Sequence, residues 1–498
     1  MTEAAVVAAA EGRLDVLQWL FQNHHTRVHW GGAEWCESVS GGHTDVMEWL
    51  RRHVTVHSEV APQLMLDAAR AGDLLLVQAL HKNYELPLSN ALIEAQKRGR
   101  WGVVKWILKS GGVEDPKVDM DIIAADSDID FLQWVYTQGF GRPTSRALEF
   151  AAFNGRLNIL EWLHVGPAKL ELSCSVLKEA ARGGKLDVVK WLLDRHCPST
   201  SAAMEAAAEN GYLQIMQLLY ANSEAVCTSR ALDRAASNGH LEVVKWLDAI
   251  DRSLYCPAAM NRAAEFGHLD IVKWLHANRA EGCSTEALDC ACHFGHLEVV
   301  RWLKANRTEG FGKLAMDLAA SCGHLDVVKW LQQDLHNSCS TWAMDSAARQ
   351  GHLHVVKWLH SNRTEGSTAE AMSDAAANGH LDIVRWLQHH RSEGCYATAL
   401  NRSISGGHLN VAMFLHCERG LKCSIRGTVT LRLRLEMVQW LLTTCSDELD
   451  QGVKFQVARR DWHFNDWMRS QGMQIVNQDD SNVVWKWSSR NVVNRNGT

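Results

Sequence analysis

The sequence predicts an all-α protein: a solenoid of about sixteen short helix-turn-helix units in which projecting β-hairpins are largely absent. Three observations predict it. A glycine recurs at Gly12, Gly42, Gly72, Gly99, Gly155, Gly184, Gly211, Gly239, Gly267, Gly295, Gly323, Gly351, Gly379 and Gly407, and from Gly211 onward every step is 28 residues. Around it the chain repeats x-A-[LM]-[DNE]-x-A-A-x-x-G-H-L-[DE]-[VI]-V-[KR]-W-L. Each half of that unit is too short to bury its own apolar face, so units must stack to make a continuous core.

The first half is a short helix. In Arg230-Ala231-Leu232-Asp233-Arg234-Ala235-Ala236 the small and apolar residues fall at i, i+3 and i+4, which gives one thin, close-packing face. Gly239 ends it, since glycine takes the left-handed conformation of a helix C-cap without a Cβ clash. The second helix spans about Leu241 to Ala249. At about 100° per residue, Val243, Val244 and Leu247 lie together, with Leu241 and Trp246 on opposite flanks. That apolar arc exceeds the roughly 100° a surface helix needs, so the helix must be covered on its sides as well as beneath. Glu242 and Lys245 face solvent as an i,i+3 pair.

Thirteen of the 21 tryptophans share the slot of Trp246, on the flank where a neighbouring unit would be met. Their expected role is to fill the space between layers. A ladder for stacking sugars, bases or cations is the alternative, but Leu218 and Phe414 also occupy the slot, and that favours shape-filling. Two units lack the glycine yet keep the second half, at Asp130–Trp134 and Leu435–Trp440. The array is thus expected over residues 1–445. Residues 446–498 depart from the period, carry Trp462, Trp467, Trp485 and Trp487, and read as a cap or tail in which Val483–Trp487 has strand composition. The first unit begins almost at Met1 with no polar cap.

The pattern A-A-x-x-G-H-L-[DE]-[VI]-V-K-x-L stands almost verbatim at 235–247, 263–275, 319–331 and 375–387. In these residues the protein resembles the ankyrin repeat. The resemblance implies antiparallel helix pairs stacked into a curved solenoid whose inner helices and loop tips contact partner proteins. Three features depart from the family. Glu286-Ala287-Leu288-Asp289 and Trp342-Ala343-Met344-Asp345 replace its T-P-L-H start. The usual period of about 33 shortens to 28, leaving a connection such as Asn278–Ser284 too short for a projecting finger. Tryptophan stands where leucine is usual.

Composition narrows the function. Of 498 residues 46% are hydrophobic and 22% charged, as in a globular protein, and the net charge of −6 speaks against holding nucleic acid through its phosphates. There is no CxxC pair among the fourteen cysteines; Cys227, Cys283, Cys339 and Cys395 recur singly, in layers too far apart for disulfides. No apolar run spans a membrane and no basic leader opens the sequence. The expectation is a cytoplasmic or nuclear protein, monomeric, with no membrane association. The triplets at Asn306 and Asn362 that match the glycosylation pattern then have no route to use.

Catalysis and cofactors are not expected. The histidines His240, His268, His296, His324, His352 and His380 recur one per layer, so they read as helix-start or turn residues, whereas a metal needs convergent ligands. Cys290, Cys292, His293 and His296 are the nearest thing to a zinc set, and the repeat itself accounts for them. No phosphate loop, nucleophile elbow or metalloprotease motif occurs.

The feature left over is a column six positions before the glycine: Asp121, Glu149, Lys178, Glu205, Asp233, Asn261, Asp289, Asp317 and Asp345, seven acids of nine. One reading is local, a carboxylate favouring a helix N-terminus. The other is an acidic groove for a protein partner with a basic surface. Beside the column Arg234, Arg262, Asp374, Trp342 and Phe150 vary between units, as residues that select a partner do. The sequence therefore reads as a non-enzymatic scaffold or adaptor binding protein partners along its concave face. The alternative is a helical-repeat RNA binder, favoured only by a tail in which the last 48 residues carry seven Lys/Arg against four Asp/Glu.

Overall fold

The computed structural model describes residues 2–222, 227–254, 257–280, 282–312, 314–335, 339–392, 396–421, 428–429, 435–445, 454–458, 468–469, 473–478 and 482–486. Among them helices follow in pairs, from Thr2–Ala10 with Leu14–His24 to Tyr396–Ser405 with Leu409–Arg419, and a further helix spans Leu435–Thr444. By contacts the protein divides into two compact units, residues 1–231 and 232–498. In each, first helices pack against the first helices of adjacent pairs, and second helices form a looser outer row. Among the described residues the connections between pairs contain no strand until Thr428, as the shortened period implies.

The anticipated caps are present. Gly267 ends helix Pro257–Glu265 at φ +80°, and its counterparts Gly239 and Gly295 share that value. Where the glycine is missing, Ser127 leaves helix Met120–Asp126 with extended backbone, and the Asp128 carboxylate accepts from Phe131 N–H (2.6 Å) to start helix Ile129–Thr137. The turn is then closed by a side-chain cap instead of a left-handed residue.

Burial corrects the weight given to tryptophan. Ala259, Met260, Ala263 and Ala264, then Ala287, Ala291 and Cys292, then Ala315, Met316, Ala319 and Ala320 are wholly enclosed between successive first helices. Small side chains let the backbones approach closely, and this is the main seam. Val243, Val244 and Leu247 close the second helix beneath. The repeated indoles lie half-buried on the flank, from Trp191, which is buried, to Trp19, which is 53% exposed. They do meet the preceding pair, edge-on to a ring near the end of its second helix: His276 to Trp302 at 5.1 Å and 86°, His360 to Trp386 at 5.0 Å and 87°, His416 to Trp440 at 5.6 Å and 86°, Tyr136 to Trp162 at 5.3 Å and 87°. Such edge contacts add about 0.5–1.5 kcal/mol each beyond area burial, secondary to the alanine seam.

Among the described residues near the C-terminus four short strands make one sheet, in the order Thr428–Val429, Lys454–Ala458, Asn482–Lys486, Gln474–Gln478. The first pair is parallel and the others antiparallel. Phe455 and Trp485 stand opposite each other and are both buried, giving the sheet an apolar centre. The strand expected over Val483–Trp487 is thus found at Asn482–Lys486; Trp462, Trp467 and Trp487 lie outside the described residues.

Left-handed glycines in the turns have two distinct demands. A Cβ on Gly267 would meet the His296 ring at 2.6 Å, whereas one on Gly310, also at φ +80°, has open space. Gly310→Ala is expected to lower unfolding free energy by roughly 1–2 kcal/mol from backbone strain alone. Gly267→Ala should lower it further, and His296→Ala should recover only that excess, as read by urea denaturation.

Candidate functional site

The acid column is engaged within the protein itself. Asp121 accepts from Thr144 N–H (2.7 Å) and the Thr144 hydroxyl (2.6 Å), Asp317 from Ser340 N–H (2.9 Å) and hydroxyl (2.6 Å), and Asp345 from Thr368 N–H (2.8 Å) and hydroxyl (2.7 Å). Glu205 accepts from the Thr228 hydroxyl (2.9 Å), Glu149 from the Ser175 hydroxyl (2.6 Å) and Asp289 from Gly312 N–H (2.8 Å). Most of these partners are 23 residues on, at the start of the next first helix. Each carboxylate therefore ties one layer to the next. The local helix-dipole reading named the wrong recipient, since the amides satisfied belong to the following pair. Asn261 shows what the slot requires: its Oδ1 accepts from Ser284 N–H (3.1 Å) while its Nδ2 donates to the Ser284 hydroxyl (2.7 Å).

Asp121 and Asp317 are buried, and Glu149, Glu205, Asp233, Asp289 and Asp345 are half-buried. Burial pushes the Asp289 and Asp345 carboxyls above the usual range; at Asp345 the Thr368 hydrogen bonds oppose this, and facing Asp374 and Glu370 adds to it. Charge reversal at Asp289 or Asp317 would thus read layer stability before partner affinity.

The repeat histidines, expected as helix-start or turn residues, do stand at helix starts and also bridge layers. His240, His268, His296, His352 and His380 sit at the N-cap without making a side-chain cap bond. Instead His268 Nε2–H donates to Ser237 O (3.0 Å) and His380 Nε2–H to Arg349 O (3.1 Å), each ring resting over the preceding pair's glycine. Burial, then a hydrogen bond that opposes it and the neighbouring imidazoles His268 and His324, leave His296 below its ordinary pKa; burial followed by His354, His324 and His380 does the same at His352.

A third tie comes from the connecting loops. Arg307 Nη1 reaches His276 Nδ1 (3.4 Å) and Arg363 reaches Gln332, both 31 residues back, while Arg279 pairs with Asp248 in a nearly closed ion pair. Arg307 and Arg363 also pair with Glu309 and Glu365 in their own loops.

The possible zinc set does not converge. Cys292 is buried in the first-helix seam, the His296 ring hydrogen-bonds backbone at Glu265, and His293 Nδ1 lies 3.6 Å from Cys322 Sγ in the next pair. Among the described residues no group of three His, Cys, Asp or Glu is arranged to hold a metal. Cys227 and Cys283 are buried and Cys339 is half-buried; Cys395 lies outside the described residues.

What remains for a partner is the outer stripe of the first helices. Trp342 is exposed there; Arg262 is exposed and paired with Glu265 (2.6 Å). Arg234 is half-buried, Phe150 lies under Arg146 at 5.4 Å, and Asp374 is held by Arg402 and Arg349. Sequence reasoning missed Phe266, Phe294 and Leu314, all exposed at the ends of first helices. They look incidental in sequence, because Phe266 and Phe294 stand one before the glycine and Leu314 nine before it, so no single slot repeats them.

Two outcomes follow for the layer ties. Asp317→Asn should keep the bonds that Asn261 makes and change stability by less than about 1 kcal/mol, whereas Asp317→Ala should cost about 1–3 kcal/mol in urea denaturation. For the histidines, a folded-state pKa below the ordinary value means the unfolded state binds more protons as pH falls. Stability should therefore drop as pH falls through and below the ordinary histidine value of about 6.5, and this drop should shrink in His296→Gln/His352→Gln.

A family model of ankyrin repeats (3 copies) matches residues 148–229, 177–251 and 260–345. Among solved structures the chain is similar to the human ASB11 ankyrin repeat domain, with 22% identity, covering 96% of that domain and 36% of this protein, at a TM-score of 0.29. It is also similar to the pentatricopeptide repeat protein PPR10 in complex with an 18-nt psaJ RNA element, with 10% identity, coverage of 90% of this protein and 80% of that one, and a TM-score of 0.32. PPR10 from maize matches with 10% identity, 84% and 73% coverage in the same order and a TM-score of 0.27. At such TM-scores these likenesses carry no argument. No curated protein matches the sequence. The family match falls on the helix pairs and repeat residues described above, and over those residues the chain is similar to ankyrin repeats.

Proposed function

We propose that the protein is a non-enzymatic scaffold or adaptor that holds partner proteins along its row of first helices. The observation that supports this most is a division of labour on that row. The slots at the seam and at the layer ties are nearly uniform from pair to pair, whereas the exposed slot nine before the glycine changes from Glu286 to Leu314, Trp342 and Glu370. Variation confined to solvent-facing slots of a rigid array is how repeat proteins differ in partner.

In this reading residues 1–445 form the array and 446–498 a terminal cap or tail, and Arg234, Arg262 and Trp342 belong to the contact surface. The acids Asp121, Glu149, Glu205, Asp233, Asp289, Asp317 and Asp345 contribute field more than direct contact, favouring a partner with a basic surface. The protein acts as a cytoplasmic or nuclear monomer; no helix among the described residues is long and apolar enough to cross a membrane.

Hydrogen-exchange footprinting of the full-length protein with a captured protein partner tests the proposal. Protection is expected on first helices such as Pro257–Glu265, Thr285–His293 and Thr341–Gln350. Protection confined to the outward faces of second helices, or retention of single-stranded RNA in low-salt filter binding, contradicts it.

A further inference from the structure

Four consecutive layers in residues 257–350 each present one large apolar side chain to solvent. Phe266 is 49% exposed, Phe294 45%, Leu314 55% and Trp342 45%. Phe266 and Phe294 follow the C-terminal ends of their first helices and stack on each other at 6.3 Å and 18°, with His293 edge-on to Phe294 at 4.7 Å. Leu314 and Trp342 occupy the N-terminal ends of the next two first helices, and half-buried Leu318 lies between the groups. Positions nine, five and one before the glycine share a helix face, because steps of four residues advance it by only about 40°. The five side chains therefore form a diagonal stripe across adjacent first helices. Scattered exposed apolar residues need no explanation, but a contiguous run marks an interaction surface.

The surroundings of the stripe are acidic. The five first helices Pro257–Glu265, Thr285–His293, Ala315–Ser321, Thr341–Gln350 and Ala369–Ala377 carry seven acids (Glu265, Glu286, Asp289, Asp317, Asp345, Glu370 and Asp374) against two arginines, Arg262 and Arg349. Along the row that holds Leu314 and Trp342, the adjacent layers on either side place Glu286 and Glu370. An aromatic face in a negative field attracts cations and the methylene stems that carry them. Three layer steps span about 30 Å, the length of roughly nine residues of extended polypeptide.

Resting on the protein-binding reading above, we infer that the stripe Phe266–Phe294–Leu318–Leu314–Trp342 docks an extended basic peptide segment of the partner, with bulky apolar side chains spaced among its lysines and arginines.

The test uses the full-length protein with three fluorescently labelled synthetic peptides of about ten residues: one alternating Lys/Arg with Leu/Phe, one with the apolar residues replaced by Ser, and one with the basic residues replaced by Glu. Fluorescence anisotropy should show binding of the first alone, weakening with added salt. Phe266→Ser/Phe294→Ser and, independently, Trp342→Ser should each weaken it by about tenfold or more, with unchanged thermal unfolding. The exposed aromatic Tyr220→Ser should have no effect. Equal binding of the serine or glutamate peptide, or unaltered affinity in both stripe variants, overturns the inference. A partner footprint that stays on first helices in that event leaves the broader reading standing; a footprint elsewhere removes both.

Discussion

A helix pair of about twenty residues cannot enclose its own apolar surface, so everything in this protein depends on one pair burying the alanines of the next. The seam of Ala259, Ala263 and Ala264 against Ala287 and Ala291 illustrates it: side chains this small contribute little area each but admit backbone close to backbone. Every other regularity serves that contact. The glycine reverses the backbone without a side group in the way of the next layer's histidine, and the valine-valine-leucine face of the second helix closes the layer from outside.

Close approach also brings polar groups out of water, and the repeat handles this with ties placed at fixed offsets. A carboxylate or amide reaches 23 residues forward to the start of the next first helix, and an imidazole or guanidinium reaches back about 31 to the preceding pair. These bonds fix the register between layers, which alanine packing alone leaves open to sliding. They also account for charge that otherwise resembles a binding surface: Asp317 is acidic for its neighbour's sake. What stays free of such duties is the outward edge of the first helices, and that is where the layers differ.

The period, the glycine caps, the helix faces and the late strand at Asn482–Lys486 were legible in the sequence because each depends on residues within one turn or one strand. The layer ties were not, because a helical wheel has no place for a partner one layer away. Their trace was nevertheless present. Thr144, Thr228, Ser284, Ser340 and Thr368 each follow a carboxylate or amide by 23 positions, a correlation visible once layers are aligned. The tryptophan slot was read in the right place but given too much weight, since a wide apolar arc reveals that a flank is covered without revealing how deeply. The aromatic stripe was missed for the opposite reason: Phe266 and Phe294 sit at slots the repeat leaves variable, and only stacking sets them side by side.

Coupling between neighbours is the central claim, and hydrogen exchange on the full-length protein carrying Ala291→Glu tests it most directly. A charge in the seam should speed exchange in Thr285–His293 and in the adjoining first helices Pro257–Glu265 and Ala315–Ser321, while distant layers such as Ala61–Ala71 keep their protection. Exchange accelerated in the mutated pair alone, or equally from end to end, would contradict a structure held together layer by layer.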